Sequence, residues 1–243
     1  MLRQLANLRL FGRIRSSSPT PRGGKPRFLR QHPECEIRDV LPMVLASLNR
    51  PNEEFFFVQI GAFDGLQGDP LHDLIHQHHW RGVLVEPQQR AFDKLQQNYA
   101  DEPQVQLFNV AIGDEDGELT LYTRKGEDVS IASTHKQLLI KPSDPASTVL
   151  EQRVTCWTPQ TLLRQCDAPP HIDLLQIDTE GYDYRIIQAL DFDQIKPTVI
   201  RYEHTILCQR DRDACLELLA RQGYRFLLED KDTTAILGMS RAA

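Results

Sequence analysis

Short apolar runs alternate with longer polar segments along most of the chain. The runs are rich in β-branched or aromatic residues, and the segments between them place apolar residues at helical spacing. Such alternation is typical of a mostly parallel sheet with helices on both faces, so it predicts a doubly wound α/β domain that ends in an antiparallel strand pair. The predicted strands are Phe55–Ile60, Gly82–Val85, Val105–Val110, Ile172–Ile177 and Thr198–Tyr202, followed by the pair Tyr224–Leu228 and Thr234–Leu237.

Two helices and one irregular segment complete the predicted domain. Asp211–Gln222 is amphipathic and Gly223 stands where a helix stop belongs, while Val40–Leu48 is predicted to cover the sheet. Residues 113–153 fit the alternation worst, with a short strand at Leu119–Tyr122 and then an irregular polar insertion. Long irregular segments inside compact domains tend to be binding loops, so we expect this one to select the substrate.

Charge is distributed unevenly along the chain. Residues 1–33 hold seven arginines and Lys25 but no acid, so residues 34–243 carry a formal charge of −14 within the total of −6. We therefore predict a flexible basic arm over 1–33 and one domain over 34–243. An acidic domain repels phosphate polymers, so no nucleic-acid partner is expected. Organelle targeting or membrane-surface association through the arm stays open.

The length of the apolar runs and the number and spacing of the cysteines indicate the cellular compartment. No stretch reaches the roughly 18 consecutive apolar residues that a transmembrane helix needs. The five cysteines form an odd set without Cys-x-x-Cys spacing, which argues against a disulfide framework and a zinc site. We expect a cytoplasmic protein without a transmembrane segment, of open oligomeric state.

A glycine-bracketed turn follows the first strand at Val58–Gly65. Gly61 and Gly65 have the spacing Gly-x-x-x-Gly, and such glycines let a backbone turn sharply against a ligand. A dinucleotide fingerprint would instead read Gly-x-Gly-x-x-Gly and bind a pyrophosphate. Asp64 places a carboxylate in this turn, which favours a ligand that carries an amino group. An ordinary strand-to-helix turn is the alternative.

Acidic residues end two further strands. Glu86 follows Gly82–Val85 by one residue, at the position where a carboxylate accepts hydrogen bonds from ribose hydroxyls, although it is also a candidate loop acid. Asp178 and Glu180 follow Ile172–Ile177 and are candidates for taking a proton from a substrate hydroxyl. Helix capping is the competing role for both.

Histidines offer a second set of candidates. His204 follows the next strand and is a possible general base, although histidines at strand ends are usually structural. His72 and His76 have the i, i+4 spacing of metal ligands, but no third ligand of suitable spacing is visible. A divalent ion held by Asp178, Glu203 and His204 is a minority alternative, so no metal is predicted.

Five segments together resemble the FkbM family of methyltransferases, over roughly residues 52–238. They are Val58–Gly65, Val85–Pro87, Asn109–Asp114, Ile177–Tyr182 and Val199–His204. The resemblance implies a class I Rossmann-like fold and S-adenosyl-L-methionine as cofactor. It assigns cofactor binding to Gln59, Gly61, Asp64, Gly65, Glu86, Pro87, Ala111 and Asp178, with the methionine end at the glycine turn, the ribose at Glu86 and the adenine at Ala111.

The same resemblance implies a reaction. It predicts methylation of a hydroxyl on a sugar, glycan or polyketide-type small molecule, with Asp178 and Glu180 facing the transferred methyl group. The candidate catalytic residues are thus Asp178, Glu180 and His204. Two alternatives stay open on the same fold, an NAD-dependent oxidoreductase and a non-catalytic binding module.

Overall fold

A computed structural model of the protein describes residues 31–32, 39–124 and 149–238. The chain divides into two units, residues 1–38 and residues 39–243, and the second unit contains all the helices and strands below. The predicted basic arm lies outside the described residues except for residues 31 and 32, so the predicted boundary near residue 33 stays a prediction. Residues 125–148 of the predicted insertion also lie outside them.

Helices and strands alternate through the described part of the second unit. The helices are α1 (Leu41–Ser47), α2 (His72–His78), α3 (Gln89–Asn98), α4 (Pro159–Gln165), α5 (Asp183–Ala189) and α6 (Gln209–Arg221), with a 3-10 turn at Asn52–Glu54. The strands are β1 (Phe56–Ile60), β2 (Arg81–Val85), β3 (Val105–Phe108), β4 (Ala111–Ile112), β5 (Gly117–Arg124), β6 (Val149–Trp157), β7 (Leu174–Ile177), β8 (Val199–Glu203), β9 (Tyr224–Leu228) and β10 (Asp232–Leu237).

Seven strands form the main sheet in the order β3-β2-β1-β7-β8-β10-β9. The first five are parallel, and β10 runs antiparallel to both β8 and β9. The chain builds outward from β1 to β3 and then returns to add β7 on the other side of β1. This reversal is the topological switch point at which doubly wound sheets bind their ligands.

Both faces of the main sheet are buried, which explains its uninterrupted apolar strands. In β1, Val58 and Ile60 belong to the core on one face, together with Ile186 of α5. Phe57 points to the opposite core, where Leu41 of α1 and Leu95 of α3 pack against it. A strand buried on both faces reads as a continuous hydrophobic run, so the predicted doubly wound sheet is confirmed.

A second sheet of three strands, in the order β4-β6-β5, corrects the sequence prediction. The predicted strand Val105–Val110 is wrong at its end, because β3 stops at Phe108 and the chain enters the second sheet at Ala111. The predicted short strand Leu119–Tyr122 is confirmed within β5, but the irregular stretch predicted after it is wrong at residues 149–153, where β6 pairs antiparallel with β5. Most of the β6 side chains are exposed, which leaves that strand without the apolar signature of a buried one.

The two predicted helices are confirmed with small shifts of their ends. Val40–Leu48 corresponds to α1, and Asp211–Gln222 corresponds to α6, which begins two residues earlier than predicted. The longest described helix is α6, with 13 residues. None of the helices in the described ranges combines the length and the hydrophobicity that a bilayer crossing requires.

Candidate functional site

The ends of β1, β2 and β7 meet around one cleft at the switch point. Backbone hydrogen bonds hold these ends together, because the Gly61 amide donates to the carbonyl of Val85 at 2.9 Å and the Asp178 amide donates to that of Ile60 at 2.9 Å. The cleft is lined by residues from all three strand ends, from the loop after β3 and from β5: Ile60, Gly61, Phe63, Gln67, Val85, Glu86, Pro87, Gln88, Val110, Ala111, Ile112, Leu119, Leu121, Asp178, Thr179, Glu180 and Tyr182.

Gly61 lies in the cleft at the end of β1, against the backbone that follows β7. Its φ angle is +83°, and a Cβ atom on this residue would lie 1.8 Å from the carbonyl oxygen of Asp178. No side chain fits into that distance, and the left-handed backbone adds a strain that glycine escapes. Gly61 therefore lets the backbones of β1 and β7 lie in contact, while its predicted contact with a ligand stays a prediction.

Glu86 places a buried carboxylate on the β2 side of the cleft, with 3% of the residue exposed. Its Oε2 accepts a hydrogen bond from the amide of Phe63 at 2.9 Å, and its Oε1 accepts one from the amide of Gln88 at 2.8 Å. Burial raises the pKa of Glu86 to about 7, the charge of Asp178 adds to the increase, and the two amide donors oppose it. The carboxylate is thus fixed in place and titrates near neutral pH.

Three carboxylates gather on the β7 side of the cleft. Asp178, Glu180 and Glu203 each offer an oxygen atom, and these atoms lie within 4.8 Å of one another. Removal from water and the charge of Glu203 raise the pKa of Asp178 to about 6 even though its side chain reaches solvent. The same loss of water, with Asp178 and Glu203 beside it, raises the pKa of Glu180 to about 7. Glu180 also adopts a φ of +53°, which is uncommon for a non-glycine residue.

Asp183 is a further buried acid beside this acidic group, and it was not predicted from the sequence. It is fully buried, accepts a hydrogen bond from Oγ1 of Thr179 at 2.8 Å and accepts another from the amide of Glu203 at 3.2 Å. Burial first, and then the charge of Asp178, raise the pKa of Asp183 to about 7. Its place in the first turn of a helix after a glycine suggests only a capping role, so the sequence gives no sign of the contact with β8.

Asp64 serves its own turn in this structure. The residue is 2% exposed, and its Oδ1 accepts hydrogen bonds from the amides of Leu66 at 3.1 Å and Gln67 at 2.9 Å. Asp64 is not among the residues that line the cleft. Its assignment to the amino group of the cofactor stays a prediction, while Gln67, whose side chain donates to Asp64 at 3.0 Å, does line the cleft.

Gly65 and Gln59 likewise contact protein atoms rather than the cleft. A Cβ on Gly65 would lie 2.5 Å from side-chain atoms of both Leu95 and Tyr99, so this glycine lets α3 pack against the turn. Gln59 is buried in β1 and donates to Oδ2 of Asp69 at 2.9 Å. Cofactor contacts by Gly65 and Gln59 stay predictions.

His204 lies at the end of β8 but not on the wall of the cleft. Its Nδ1 is 3.1 Å from Oγ1 of Thr233, and its amide donates to the carbonyl of Lys231 at 2.9 Å. These contacts tie the histidine to β10 and to the turn before it. Of the acidic group above, Asp178 and Glu180 line the cleft, and the catalytic assignment of His204 stays a prediction.

The α2 histidines also have protein partners. Nδ1 of His76 is 2.8 Å from Glu102, and Nδ1 of His79 is 3.2 Å from the same carboxylate. In the described ranges, the group of three residues with closely spaced metal-ligating atoms is that of Asp178, Glu180 and Glu203, and no histidine belongs to it.

Three side chains on the cleft wall were missed at the level of sequence. Leu119 and Leu121 reach the cleft from β5, with the two-residue spacing of side chains on one face of a strand. Tyr182 also lines the cleft and donates its hydroxyl to Asp114 at 2.8 Å. The apolar alternation around Leu119 was visible in the sequence, but nothing there showed that β5 folds back over the cleft.

The sequence profile of the methyltransferase FkbM domain matches residues 59–226, which is more than half of the chain. The chain belongs to the FkbM methyltransferase family. The family match covers every strand end that forms the cleft, and membership of this family implies S-adenosylmethionine as the cofactor. No curated protein matches the chain.

Solved structures of methyltransferases are similar to this FkbM-family chain at low sequence identity. Methyltransferase FkbM from Methylobacillus flagellatus KT has a TM-score of 0.47 and 14% identity, over 76% of this chain and 44% of that one. Precorrin-6y C5,15-methyltransferase from Geobacter metallireducens GS-15 has a TM-score of 0.41 and 16% identity, over 80% and 87% of the two chains. The chain thus spans less than half of the length of the Methylobacillus protein.

Proposed function

We propose that this protein transfers a methyl group from S-adenosylmethionine to a hydroxyl group of a sugar, glycan or polyketide-type small molecule. The observation that carries the proposal is the arrangement of the cleft, in which a buried acceptor for ribose, Glu86, and a group of proton-accepting carboxylates at Asp178 and Glu180 flank the same glycine turn at Gly61. Binding of the cofactor and removal of a proton are thereby assigned to opposite sides of one cleft.

The residues around Gly61 fit the proposed cofactor. The carboxylate of Glu86 is held by two amides and can still accept hydrogen bonds from ribose hydroxyls, because each oxygen has a second lone pair. Pro87 and Ala111 offer an apolar wall for the adenine. Carboxylates nearby favour a ligand with a cationic sulfonium and amino group. Bound S-adenosylmethionine would supply an electrophilic methyl carbon beside Asp178.

Glu180 is the proposed proton acceptor. Attack of an acceptor hydroxyl on the methyl carbon forms one C–O bond, breaks the bond from that carbon to sulfur and releases the hydroxyl proton. A general base works best when its pKa is near the working pH, and the pKa of Glu180 is raised to about 7. Asp178, with a pKa of about 6, holds a negative charge beside it and assists in orienting the hydroxyl.

Formation of S-adenosylhomocysteine, measured with panels of sugars, glycans and polyketide-type alcohols, tests this function. With an accepted alcohol we expect Glu180→Gln to lower kcat by about 10²-fold or more, while the Kd for S-adenosylmethionine changes less than about threefold. His204→Ala should retain most of the activity. A large loss in His204→Ala with an active Glu180→Gln variant would move the base to the histidine.

The charge of the domain and its cysteines bear on the partners and the location that we propose. An acidic domain suits a neutral acceptor and disfavours phosphate-rich polymers, so we propose small molecules or glycans rather than nucleic acid. A cytoplasmic location is proposed on the odd number of cysteines, of which Cys156, Cys166, Cys208 and Cys215 are free thiols.

A further inference from the structure

Strand β9 forms one edge of the main sheet, and in the described ranges no strand lies beyond it. Five large apolar side chains are exposed in those ranges: two belong to β9, Leu227 at 42% and Leu228 at 68%, and Met43 at 59% lies on α1 and lines a groove with Leu227. An apolar edge strand exposes unpaired backbone groups and a hydrophobic surface that favours association. Proteins usually cover such a strand or place charged side chains on it. This edge therefore has the character of a pairing surface.

The backbone geometry of β9 shows which of its groups point outward. Glu229 donates its amide to the carbonyl of Asp232 at 2.9 Å, so the pair Glu229 and Asp232 is of the hydrogen-bonded kind. Hydrogen-bonded and non-hydrogen-bonded pairs alternate along an antiparallel ladder. Leu227 therefore bonds inward to β10, whereas the amides and carbonyls of Phe226 and Leu228 point away from the sheet.

We propose that β9 pairs antiparallel with β9 of a second copy of this chain, about a two-fold axis at Leu227. Outward groups at Phe226 and Leu228 allow axes at Phe226, Leu227 or Leu228. An axis at Phe226 would set Leu227 opposite Arg225, and an axis at Leu228 would set it opposite Glu229. The axis at Leu227 sets leucine opposite leucine, which matches the apolar groups, and it leaves the Glu229 carboxylate in its pair with Arg201 at 3.5 Å.

The neighbouring surface is compatible with this register. An apolar groove lies beside β9 on the face of α1, lined among others by Met43, Val44, Leu48 and Ile236. Arg225 and Leu227 line the same groove, so the partner's Leu227 meets an apolar surface there. Phe226 of each copy exchanges both of its outward hydrogen bonds with Leu228 of the other, which makes one continuous sheet across the two-fold axis.

Analytical ultracentrifugation of the full chain over a range of concentrations tests the pairing. We expect a concentration-dependent dimer for the wild type and at least a tenfold weaker dimer for Leu227→Lys, because two lysines then face each other across the axis. Leu150→Lys is the matched control, since Leu150 is a leucine of similar exposure on β6. Circular dichroism confirms that each variant is folded. A monomeric wild type, or equal dimers in all three proteins, would overturn the proposal.

Cysteine cross-linking tests the register itself. Leu227→Cys brings two thiols together at a non-hydrogen-bonded pair, where the Cα atoms are about 4.5 Å apart and a disulfide can form. We expect a covalent dimer with oxidised glutathione for Leu227→Cys and only the wild-type background, from residues such as the exposed Cys208, for Leu150→Cys. Cross-linking of Leu228→Cys in place of Leu227→Cys would overturn the proposed axis.

Discussion

At the scale of single residues, the protein shields the carboxyl groups of Glu86, Asp178 and Glu180 from water, almost completely at Glu86 and in part at Asp178, which also faces the charge of Glu203. Loss of water disfavours the ionised form, which is why each of the three has a pKa above its ordinary range. The groups therefore change charge close to neutral pH. Binding on the Glu86 side and proton transfer on the Glu180 side should both depend on pH in this range.

Affinity for the cofactor should rise with pH through the pKa of Glu86. The ionised carboxylate accepts hydrogen bonds from ribose, and with a pKa of about 7 its ionised fraction grows from about one tenth at pH 6 to about nine tenths at pH 8. We expect S-adenosylhomocysteine to bind about threefold to tenfold more tightly at pH 8 by calorimetry. The Glu86→Gln variant keeps any pH dependence that comes from ionisation of the ligand but lacks the carboxylate. The same pH profile in the variant and in the wild type would therefore refute the assignment of Glu86.

Replacement of Gly61 should impair cofactor binding for a steric reason, and a substitution at Gly68 serves as the control. Gly61→Ala places a methyl group 1.8 Å from the carbonyl of Asp178, which forces β1 and β7 apart at the cleft. Gly68 has a similar φ of +71° but nothing within 4 Å of an added Cβ, so Gly68→Ala carries the backbone strain alone. We expect Gly61→Ala to lose at least tenfold in cofactor affinity, measured by calorimetry. Equal losses in both variants would mean that backbone strain, not the contact with Asp178, is decisive.

At the scale of secondary-structure elements, the main sheet was predictable and the second sheet was not. Strands such as β1 are buried on both faces and leave a continuous apolar run, and Glu86 and Asp178 stand at the ends of such runs. Strand β6 is mostly exposed and β4 has only two residues, so neither leaves a period that can be recognised. Strand β5 was predicted in part, at Leu119–Tyr122, but nothing in its residues showed that it lines the cleft.

Strand β5 should contribute to binding through Leu121. This side chain is buried with Val154 and Cys156 against Ala111, and it lines the cleft. We expect Leu121→Ala to lower the free energy of unfolding by about 2–3 kcal/mol and to weaken cofactor binding, since the support of Ala111 is lost. Leu150→Ala, at an exposed position, should change the free energy of unfolding by less than about 0.5 kcal/mol. Urea unfolding and calorimetry measure the two effects, and unchanged binding in Leu121→Ala would remove β5 from the site.

At the scale of the whole molecule, the buried acids should make stability depend on pH. Asp183 has an ordinary pKa of 3.8, raised to about 7 in the folded protein. A raised folded pKa adds stability that is complete below pH 3.8 and is lost as the pH rises to about 7. We expect Asp183→Asn to flatten the decline of the free energy of unfolding between pH 4.5 and 6.5 by about 1 kcal/mol per pH unit. Urea unfolding at several pH values measures this, and parallel curves for the two proteins would contradict it.

The family and the location of the site could be predicted at this scale, whereas the contacts within the site could not. Motif order along the chain indicated the fold, since the carboxyl ends of parallel strands converge at one edge. Asp64 and His204 were placed in the site by their position after a strand, and the sequence did not show that both side chains also make local hydrogen bonds. Such bonds depend on the exact path of a turn, which a pattern of residue types does not specify.

Titration calorimetry of the purified protein with S-adenosylmethionine, S-adenosylhomocysteine and NADH tests whether this cleft binds the methyltransferase cofactor. We expect micromolar binding of the first two ligands, no binding of NADH, and at least a tenfold loss in a Glu86→Ala variant whose fold is confirmed by circular dichroism. Tight NADH binding would point to an oxidoreductase, and the absence of binding by any of the three would contradict the methyltransferase assignment of this cleft.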